Sequence, residues 1–268
     1  MGPRLVSLSG GAEGARGRFQ ARSADGRRWR LALATRASPL AHRTELAAYR
    51  LASALELTIV PPTRLERLPL AQLSALLKDQ DDTRAALAER AVVGNDGRIV
   101  ALLEQECGGR PLFVGPGPPF SDWAKLAASP EQPSARDLRS VHDYVQMAVL
   151  DYLTGNVQRG IVSFDDDTGR LCVTDNTGAF PGYLTPQAQD LLLRRLRPLR
   201  QFPVGLDEAL RQLDGPTAKR LLQNGAFSAW LVGPRQLTDL AERRSTLRTL
   251  LRAKVERYGT KTVFSLSP

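Results

Sequence analysis

The residues that could do chemistry are concentrated between Leu150 and Phe180. This segment, LDYLTGNVQRGIVSFDDDTGRLCVTDNTGAF, predicts a helix end, a loop, two short strands and an Asp followed by a glycine-bearing turn. The Asp175 carboxylate is a hard oxygen donor of the kind that Mg²⁺ prefers. The loop residue Gln158 has an amide side chain, which cannot accept a proton as a general base. Asp175-Asn176-Thr177-Gly178 is equally the composition of a plain turn.

Other polar clusters have simpler interpretations. Asp165-Asp166-Asp167 could form a metal cluster, but a charged hairpin tip is the better prediction. Gly10–Gly17 could cover nucleotide phosphates, although its irregular pattern is as typical of a flexible turn. His42 and His142 have no neighbouring nucleophile, so we predict structural roles for them. The sequence contains no G-x-x-x-x-G-K motif, which excludes a Walker-type phosphate site.

Composition indicates an ordinary globular protein. The 268 residues are 42% hydrophobic and 24% charged, and no apolar run approaches the roughly 20 residues that span a bilayer. Cys107 and Cys172 do not predict a disulfide framework, and we expect a cytoplasmic protein. The net charge of +9 comes from 32 Arg and only 5 Lys, which a GC-rich coding sequence explains. The clusters Arg194–Arg200 and Arg243–Arg252 are predicted as solvated helix faces, so nucleic-acid binding is the weaker alternative.

The first third of the chain predicts strands and one main helix. Within the first 36 residues, β-compatible segments alternate with turn residues such as Asp25-Gly26. A helix is predicted to begin after Ser38-Pro39, and Ile59–Pro62 is predicted to be extended because proline restricts the residue before it. Asn95-Asp96-Gly97 predicts a hairpin between Val92-Val93 and the strand Ile99–Leu103.

The rest of the chain is predominantly helical. The Pro/Gly-rich segment that follows Arg110 is predicted to connect two lobes. Strands are predicted at Ile161–Phe164 and Leu171–Thr174, and helices at residues 70–91, 135–154, 186–197, 206–213, 216–223 and 234–257. Strands followed by helices indicate an α+β fold.

Three motifs occur in the order of a known family. Glu45-Leu46-Ala47-Ala48-Tyr49 is followed by Val60-Pro61-Pro62 and later by Asp151-Tyr152-Leu153-Thr154-Gly155-Asn156. Over residues 20–185 the chain resembles the secretory-pathway kinases, the family that includes the Golgi casein kinase and four-jointed. Asp175–Phe180 is also similar to type II phosphatidylinositol 4-kinases. The resemblance implies a two-lobed, protein-kinase-like α+β fold, with a small β-rich N-lobe over residues 1–115 and a helical C-lobe over residues 116–268.

The resemblance also implies roles for individual residues. Glu45 matches the helix glutamate that pairs with a strand lysine, and Asp175 matches the metal-binding Asp that follows the hairpin. Asn156 and Arg159 match the Asn and Arg of the active-site loop, where they serve loop geometry more than chemistry. Asn156 is also predicted to be a cofactor-binding residue, together with Glu45, Arg30 and Arg36. An active member would use ATP with Mg²⁺ or Mn²⁺, whereas a fully degenerate member would use no cofactor.

Two departures from the family pattern decide the functional prediction. No lysine precedes Lys78, so Arg30 or Arg36 would have to supply the charge that holds phosphate, and Arg does not reproduce a lysine point charge. Gln158 stands at the expected catalytic Asp position. The following residues, Gly160–Ser163, include no second metal ligand.

We therefore predict a pseudokinase that binds and regulates another protein, such as an active kinase or another enzyme. The alternative is an atypical ATP- and metal-dependent phosphotransferase, because phosphoryl transfer depends heavily on positioning and electrostatics. The sequence predicts no membrane span and leaves homo-oligomerisation open.

Overall fold

The computed structural model describes residues 3–10, 18–34, 41–77, 80–223 and 231–267, with only the backbone described at residues 41 and 42. The chain divides into two compact units. The first contains Met1–Leu46 and Pro61–Cys107, and the second contains Ala47–Val60 and Gly108–Pro268. The α+β prediction is confirmed, because strands dominate the first unit and helices the second.

The first unit is built on a five-stranded antiparallel sheet. Its strands are β1 (Leu5–Ser9), β2 (Arg18–Ser23), β3 (Arg28–Leu33), β4 (Thr63–Pro69) and β5 (Arg98–Gln105), in the order β1-β2-β3-β5-β4. Helix α1 (Ala41–Ala54) follows β3, and helices α2 (Leu70–Leu76) and α3 (Asp81–Arg90) follow β4. The predicted strands β1–β3 and the predicted helices are confirmed.

One face of this sheet is apolar because β2 and β3 alternate in burial. Trp29, Leu31 and Leu33 belong to a core cluster that also includes Leu73 of α2 and Leu87 of α3. Since consecutive strand residues point to opposite faces, the residues between them, including Arg30, lie on the other face. The alternation of buried and exposed residues along β2 and β3 therefore places Arg30 on the face of the sheet opposite the apolar core.

The structure corrects the predicted pairing around β5. The Asn95-Asp96-Gly97 turn is present, with Gly97 at φ 69°, but Val93 forms only an isolated bridge to Ile99. Strand β5 pairs instead with β3 and with β4, which the sequence analysis missed. The sequence of β4, TRLERLP, contains three charges and ends in proline. Its pairing with β5 outweighs that weak intrinsic preference.

The second unit is mainly helical. Its three-stranded sheet has the order β6-β7-β8, formed by β6 (Arg110–Phe113), β7 (Ile161–Asp165) and β8 (Arg170–Cys172). Its helices, besides the end of α1, are α4 (Phe120–Ala128), α5 (Leu138–Thr154), α6 (Pro186–Leu196), α7 (Leu206–Gln212), α8 (Gly215–Gln223), α9 (Pro234–Tyr258) and α10 (Thr260–Val263). The β7–β8 pair and the later helices are confirmed, whereas β6 and α4 lie in the segment predicted as a connector.

Helix α5 is the centre of the second unit, and every residue from Ser140 to Thr154 is buried. Its buried polar side chains form a chain of contacts. The Thr58 N–H donates to Gln146 Oε1 at 2.9 Å, Gln146 Nε2 lies 3.1 Å from His142 Nε2, and His142 Nδ1 lies 3.2 Å from Asp143 Oδ1. The Leu171 N–H of β8 donates to Asp143 Oδ2 at 3.0 Å. The structural role predicted for His142 is confirmed.

Two compositional predictions are wrong. Cys107 and Cys172 are both disulfide-bonded, which a count of two cysteines could not reveal. The second Arg cluster is not simply a solvated face, because Arg243 is buried and donates to the Leu153 carbonyl at 2.9 Å.

None of the helices in the described ranges is both long and apolar enough to cross a membrane.

Candidate functional site

The loop that resembles a kinase active-site loop starts where α5 ends. Gly155 ends the helix in the left-handed conformation at φ 71°, as glycine commonly does at this position. Its N–H donates to the Tyr152 carbonyl at 3.2 Å, and the Asn156 N–H donates to the Asp151 carbonyl at 2.9 Å. The Asn156 side chain is also buried, so the start of the loop is fixed to the helix.

Arg159 holds this loop in place. Its side chain is fully buried, as is that of Asp151. Arg159 Nε donates to Asp151 Oδ1 at 2.8 Å, Nη1 to the Thr174 carbonyl at 2.9 Å, and Nη2 to Asn176 Oδ1 at 2.8 Å. One guanidinium therefore joins α5, the loop, the residue after β8 and the Asp175 turn. The prediction that Arg159 serves loop geometry is confirmed.

Asp151 is the charged partner at the centre of this network. Burial raises the pKa of Asp151 above its ordinary value of 3.8, while the charge and hydrogen bonds of Arg159 and the more distant charge of Arg195 act in the opposite direction. Arg195 Nη1 lies 3.8 Å from Asp151 Oδ2. The arrangement is structural, because removal of Arg159 would leave a buried carboxylate without its closest cation.

Asp175 occupies an unusual backbone position. Its φ is 56°, in the left-handed region that Asp and Asn enter more readily than most other residues. The Thr177 hydroxyl donates to Asp175 Oδ1 at 2.7 Å, and the side chain is exposed. Within the described ranges, no donor is bound to the Oδ2 atom. This oxygen is the one best placed to accept a metal ion or another ligand.

The Asp175 turn lies against the loop. A Cβ atom on Gly178 would stand 2.7 Å from Asn156 Oδ1 and 3.4 Å from the Gln158 Cβ, so only glycine fits without a shift. Asn156 Oδ1 also accepts the Gln158 N–H at 3.2 Å, while the Gln158 side chain is exposed. The structure therefore brings together the residues at the expected base, loop and metal positions: Gln158, Asn156 and Asp175.

The remaining candidates belong to the first unit. Arg30 and Glu104 are cross-strand partners in β3 and β5 and form an ion pair, with the Glu104 side chain 6% exposed. Glu45, the helix glutamate expected to pair with the phosphate-binding cation, is buried on α1. The ion pair of Arg30 is made with Glu104 instead. Glu104 could not be predicted from the sequence, because its partner is set by the β3–β5 register and no linear motif carries that register.

Some predicted features have other outcomes. Arg36, residues 11–17 and the side chain of His42 lie outside the described residues. Asp165 Oδ1 accepts the N–H groups of Asp167 and Thr168, which confirms the hairpin tip. Considering only the described side chains, no group of three or more His, Cys, Asp or Glu residues could hold a metal ion.

Comparison with solved structures identifies the fold. The crystal structure of the Golgi casein kinase matches 98% of this chain and 76% of its own, with 11% identity and a TM-score of 0.65. The structure of hydra Fam20 with sugar matches 98% of this chain and 89% of its own, with 13% identity and a TM-score of 0.61.

A crystal structure of the Golgi casein kinase with Mn/ADP bound gives a TM-score of 0.63, at 12% identity over 98% of this chain and 76% of that one. No protein-family model and no curated protein matches the sequence. Identities this low establish the fold alone. The resemblance seen in the sequence is confirmed at that level: the chain has the fold of the secretory-pathway kinases represented by the Golgi casein kinase and Fam20.

Proposed function

We propose that the protein is a pseudokinase, which acts by binding and regulating a protein partner such as an active kinase or another enzyme. The observation that carries this proposal is the contrast within one loop. Arg159 makes three buried hydrogen bonds, whereas the position of the catalytic acid is occupied by Gln158. A loop whose framework is maintained while its base is replaced fits a binding role.

The missing base is a specific chemical loss. A kinase-type Asp accepts the proton of the attacking hydroxyl. The carboxamide of Gln158 offers an oxygen acceptor and two N–H donors but has no basic site at neutral pH. Because this side chain is exposed, burial cannot endow it with unusual acid–base behaviour.

The phosphate-binding group is replaced as well. Arg30 is the described candidate for the absent lysine, and its guanidinium is already neutralised by Glu104 on the neighbouring strand. An anionic phosphate would have to compete with this carboxylate. The pairing therefore favours a nucleotide affinity below that of an intact kinase.

An atypical phosphotransferase is the second candidate, and Asp175 is the observation that favours it. The Asp175 backbone adopts the left-handed conformation. Its carboxylate is exposed, and Thr177 donates to Oδ1, which leaves Oδ2 available. In this alternative, Asp175 would hold Mg²⁺ or Mn²⁺ and Arg30 would contact phosphate. ATP would supply the transferred phosphoryl group. The Mn/ADP-bound Golgi casein kinase structure supports testing these ligands first.

Phosphoryl transfer and nucleotide binding separate the two candidates. We would measure transfer from labelled ATP, and ATP binding by calorimetry and thermal shift, with and without MnCl₂. The variants are Asp175→Asn, which tolerates the left-handed backbone, and Asp167→Asn, which removes the same charge at the exposed hairpin tip. The pseudokinase proposal expects no transfer by any of these proteins. Transfer that is lost in Asp175→Asn and kept in Asp167→Asn would overturn it.

The regulatory part of the proposal needs a positive result. Partners would be captured by crosslinking to the full chain, and the turnover of each captured enzyme would be measured with and without added protein. A saturable change in turnover is expected for the true partner. If every captured enzyme has unchanged turnover, the regulatory role is refuted.

The bonded cysteines also bear on location. Disulfides persist mainly in oxidising compartments outside the cytosol, and Cys107 and Cys172 are both bonded. We propose an oxidising location in place of the cytoplasmic expectation. Fractionation of the source cells, with the redox state of both cysteines measured in each fraction, tests this proposal.

A further inference from the structure

Three cationic side chains lie near the end of α9. The Arg200 guanidinium lies 4.7 Å from the centre of the Tyr258 ring, and the Arg257 guanidinium lies 5.2 Å from the same centre. Lys254, one helical turn before Tyr258, is only 6% exposed. All three belong to the second unit, and we call them the α9 cation cluster.

The position of Lys254 is fixed by its surroundings. Its Nζ atom donates to the Arg197 carbonyl at 2.7 Å, which satisfies a carbonyl at the end of α6. The ammonium also lies 6.0 Å from the centre of the Phe202 ring. An ammonium has three donors, and the Arg197 carbonyl takes only one of them.

The cluster carries positive charge that the protein itself does not neutralise. In the part of the chain that the structure describes, no carboxylate forms an ion pair with Arg200, Lys254 or Arg257, although many other Arg side chains are paired. The pKa of Lys254 is lowered by its burial and then by the charges of Arg200 and Arg257. Holding like charges together disfavours the folded state, and a bound anion would relieve that repulsion.

A groove lies between α6 and α9, next to the residue whose carbonyl binds Lys254. It has a volume of about 330 Å³ and is lined by Leu193, Arg197, Ser245, Thr246, Thr249 and Leu250. Arg197 links the two features, because it lines the groove and its carbonyl accepts a hydrogen bond from Lys254. The groove lining combines leucine side chains, hydroxyl groups and the cationic Arg197, and its size suits a small molecule.

We propose that the α9 cation cluster and this groove bind a small soluble phosphate ester, with the phosphate at Arg200, Lys254 and Arg257 and the organic part in the groove. Two guanidinium groups and an ammonium match a phosphate dianion, because Arg binds phosphate oxygens through paired N–H donors and Lys contributes a point charge. This site is independent of Gln158 and Asp175, so the outcome for the proposed function does not affect it.

Calorimetry with glycerol 3-phosphate at constant ionic strength tests the site in the full-length protein. Inorganic phosphate is the second probe, since it shares the anion and lacks the organic part. The variants are Arg200→Gln and Arg257→Gln, and the matched control is Arg252→Gln, an exposed Arg of α9 outside the cluster. Lys254 is left unchanged because it is buried and binds α6.

Saturable binding is expected for both probes, and tighter binding for the ester. Each cluster variant should weaken binding by roughly 10- to 100-fold, as expected for the loss of a charge-assisted hydrogen bond, while Arg252→Gln should bind like the original protein. The proposal is overturned by the absence of saturable binding, by equal losses in the control and cluster variants, or by binding only to vesicles that contain phosphatidic acid. Binding that persists in both cluster variants would place the phosphate elsewhere and overturn it too.

Discussion

Replacement of Arg159 by Met should strongly destabilise the second unit in a pH-dependent way. The substitution removes the hydrogen bonds to Asp151, the Thr174 carbonyl and Asn176. Both charged side chains of the Arg159–Asp151 pair are 0% exposed, so solvent cannot replace the lost partner. Loss of one member of a buried ion pair costs about 3–5 kcal/mol, which corresponds to a melting temperature lower by about 10 °C.

The pH dependence follows from the direction of the Asp151 pKa shift. Burial already raises this pKa above 3.8, and Arg159 opposes the rise. Without Arg159 the folded-state pKa rises further, so the folded variant holds a proton at pH values where the unfolded chain has released it. Its stability therefore falls as pH rises from the unfolded pKa through the folded one. The deficit relative to the original protein should be largest at neutral pH and shrink on acidification.

Urea denaturation followed by circular dichroism over a pH series measures this deficit. Asp151→Asn combined with Arg159→Met should be less destabilised than the sum of the single variants, because the two residues interact. Arg139→Met, an exposed change on the same helix, should shift stability by no more than about 0.5 kcal/mol. A pH-independent deficit, together with additive single variants, would refute the role assigned to the pair.

Three further predictions concern backbone and redox chemistry. Gly109→Ala should lower the free energy of unfolding by more than about 2 kcal/mol, because Gly109 has φ 88° and a Cβ would overlap the Phe164 carbonyl. The control is Gly108→Ala, since the space around Gly108 is open. Equal urea midpoints for the two variants would contradict this reasoning. Asp175→Ala should be about 1–2 kcal/mol less stable than Asp175→Asn, because Ala lacks the local hydrogen bonds that stabilise the left-handed conformation. Thermal melting compares the two variants. Identical melting temperatures would show that the backbone conformation at φ 56° does not lower the stability of the Ala variant. The denatured chain should show no thiol reactive with Ellman's reagent before reduction and two afterwards, since both cysteines are bonded; free thiols without reductant would disprove the bond.

Local signals predicted much of the second unit. Gly155 ends α5 because its conformation is cheap for glycine, and the charged Asp165–Asp167 tip marks the β7–β8 hairpin. These features depend on residues close together in the chain. The Asp175 turn was recognisable for the same reason, since Asp, Asn and Gly are the residues that turns require.

Features that depend on distant partners were missed. Strand β4 exists because β5 offers it a pairing edge, and its own sequence gives little indication of a strand. Glu104 meets Arg30 only through the strand register. Arg243 was predicted on a solvated face, yet a carbonyl 90 residues away in the sequence binds it. Such contacts are decided by packing, which no periodic pattern encodes.

The hydrogen-bond chain through His142 gives the imidazole ring a defined polarity. The backbone N–H of Thr58 can only donate, so Gln146 presents Oε1 to it and Nε2 to the ring. The ring nitrogen that faces Gln146 is therefore the bare one, and the hydrogen sits on Nδ1 beside Asp143. A main-chain amide near the end of α1 thus selects which tautomer a histidine on another helix adopts. Gln146→Glu, nearly identical in shape but without a donor, would place an acceptor opposite each ring nitrogen. Both nitrogens should then carry hydrogen, and nitrogen-15 spectra of the ring would record the change.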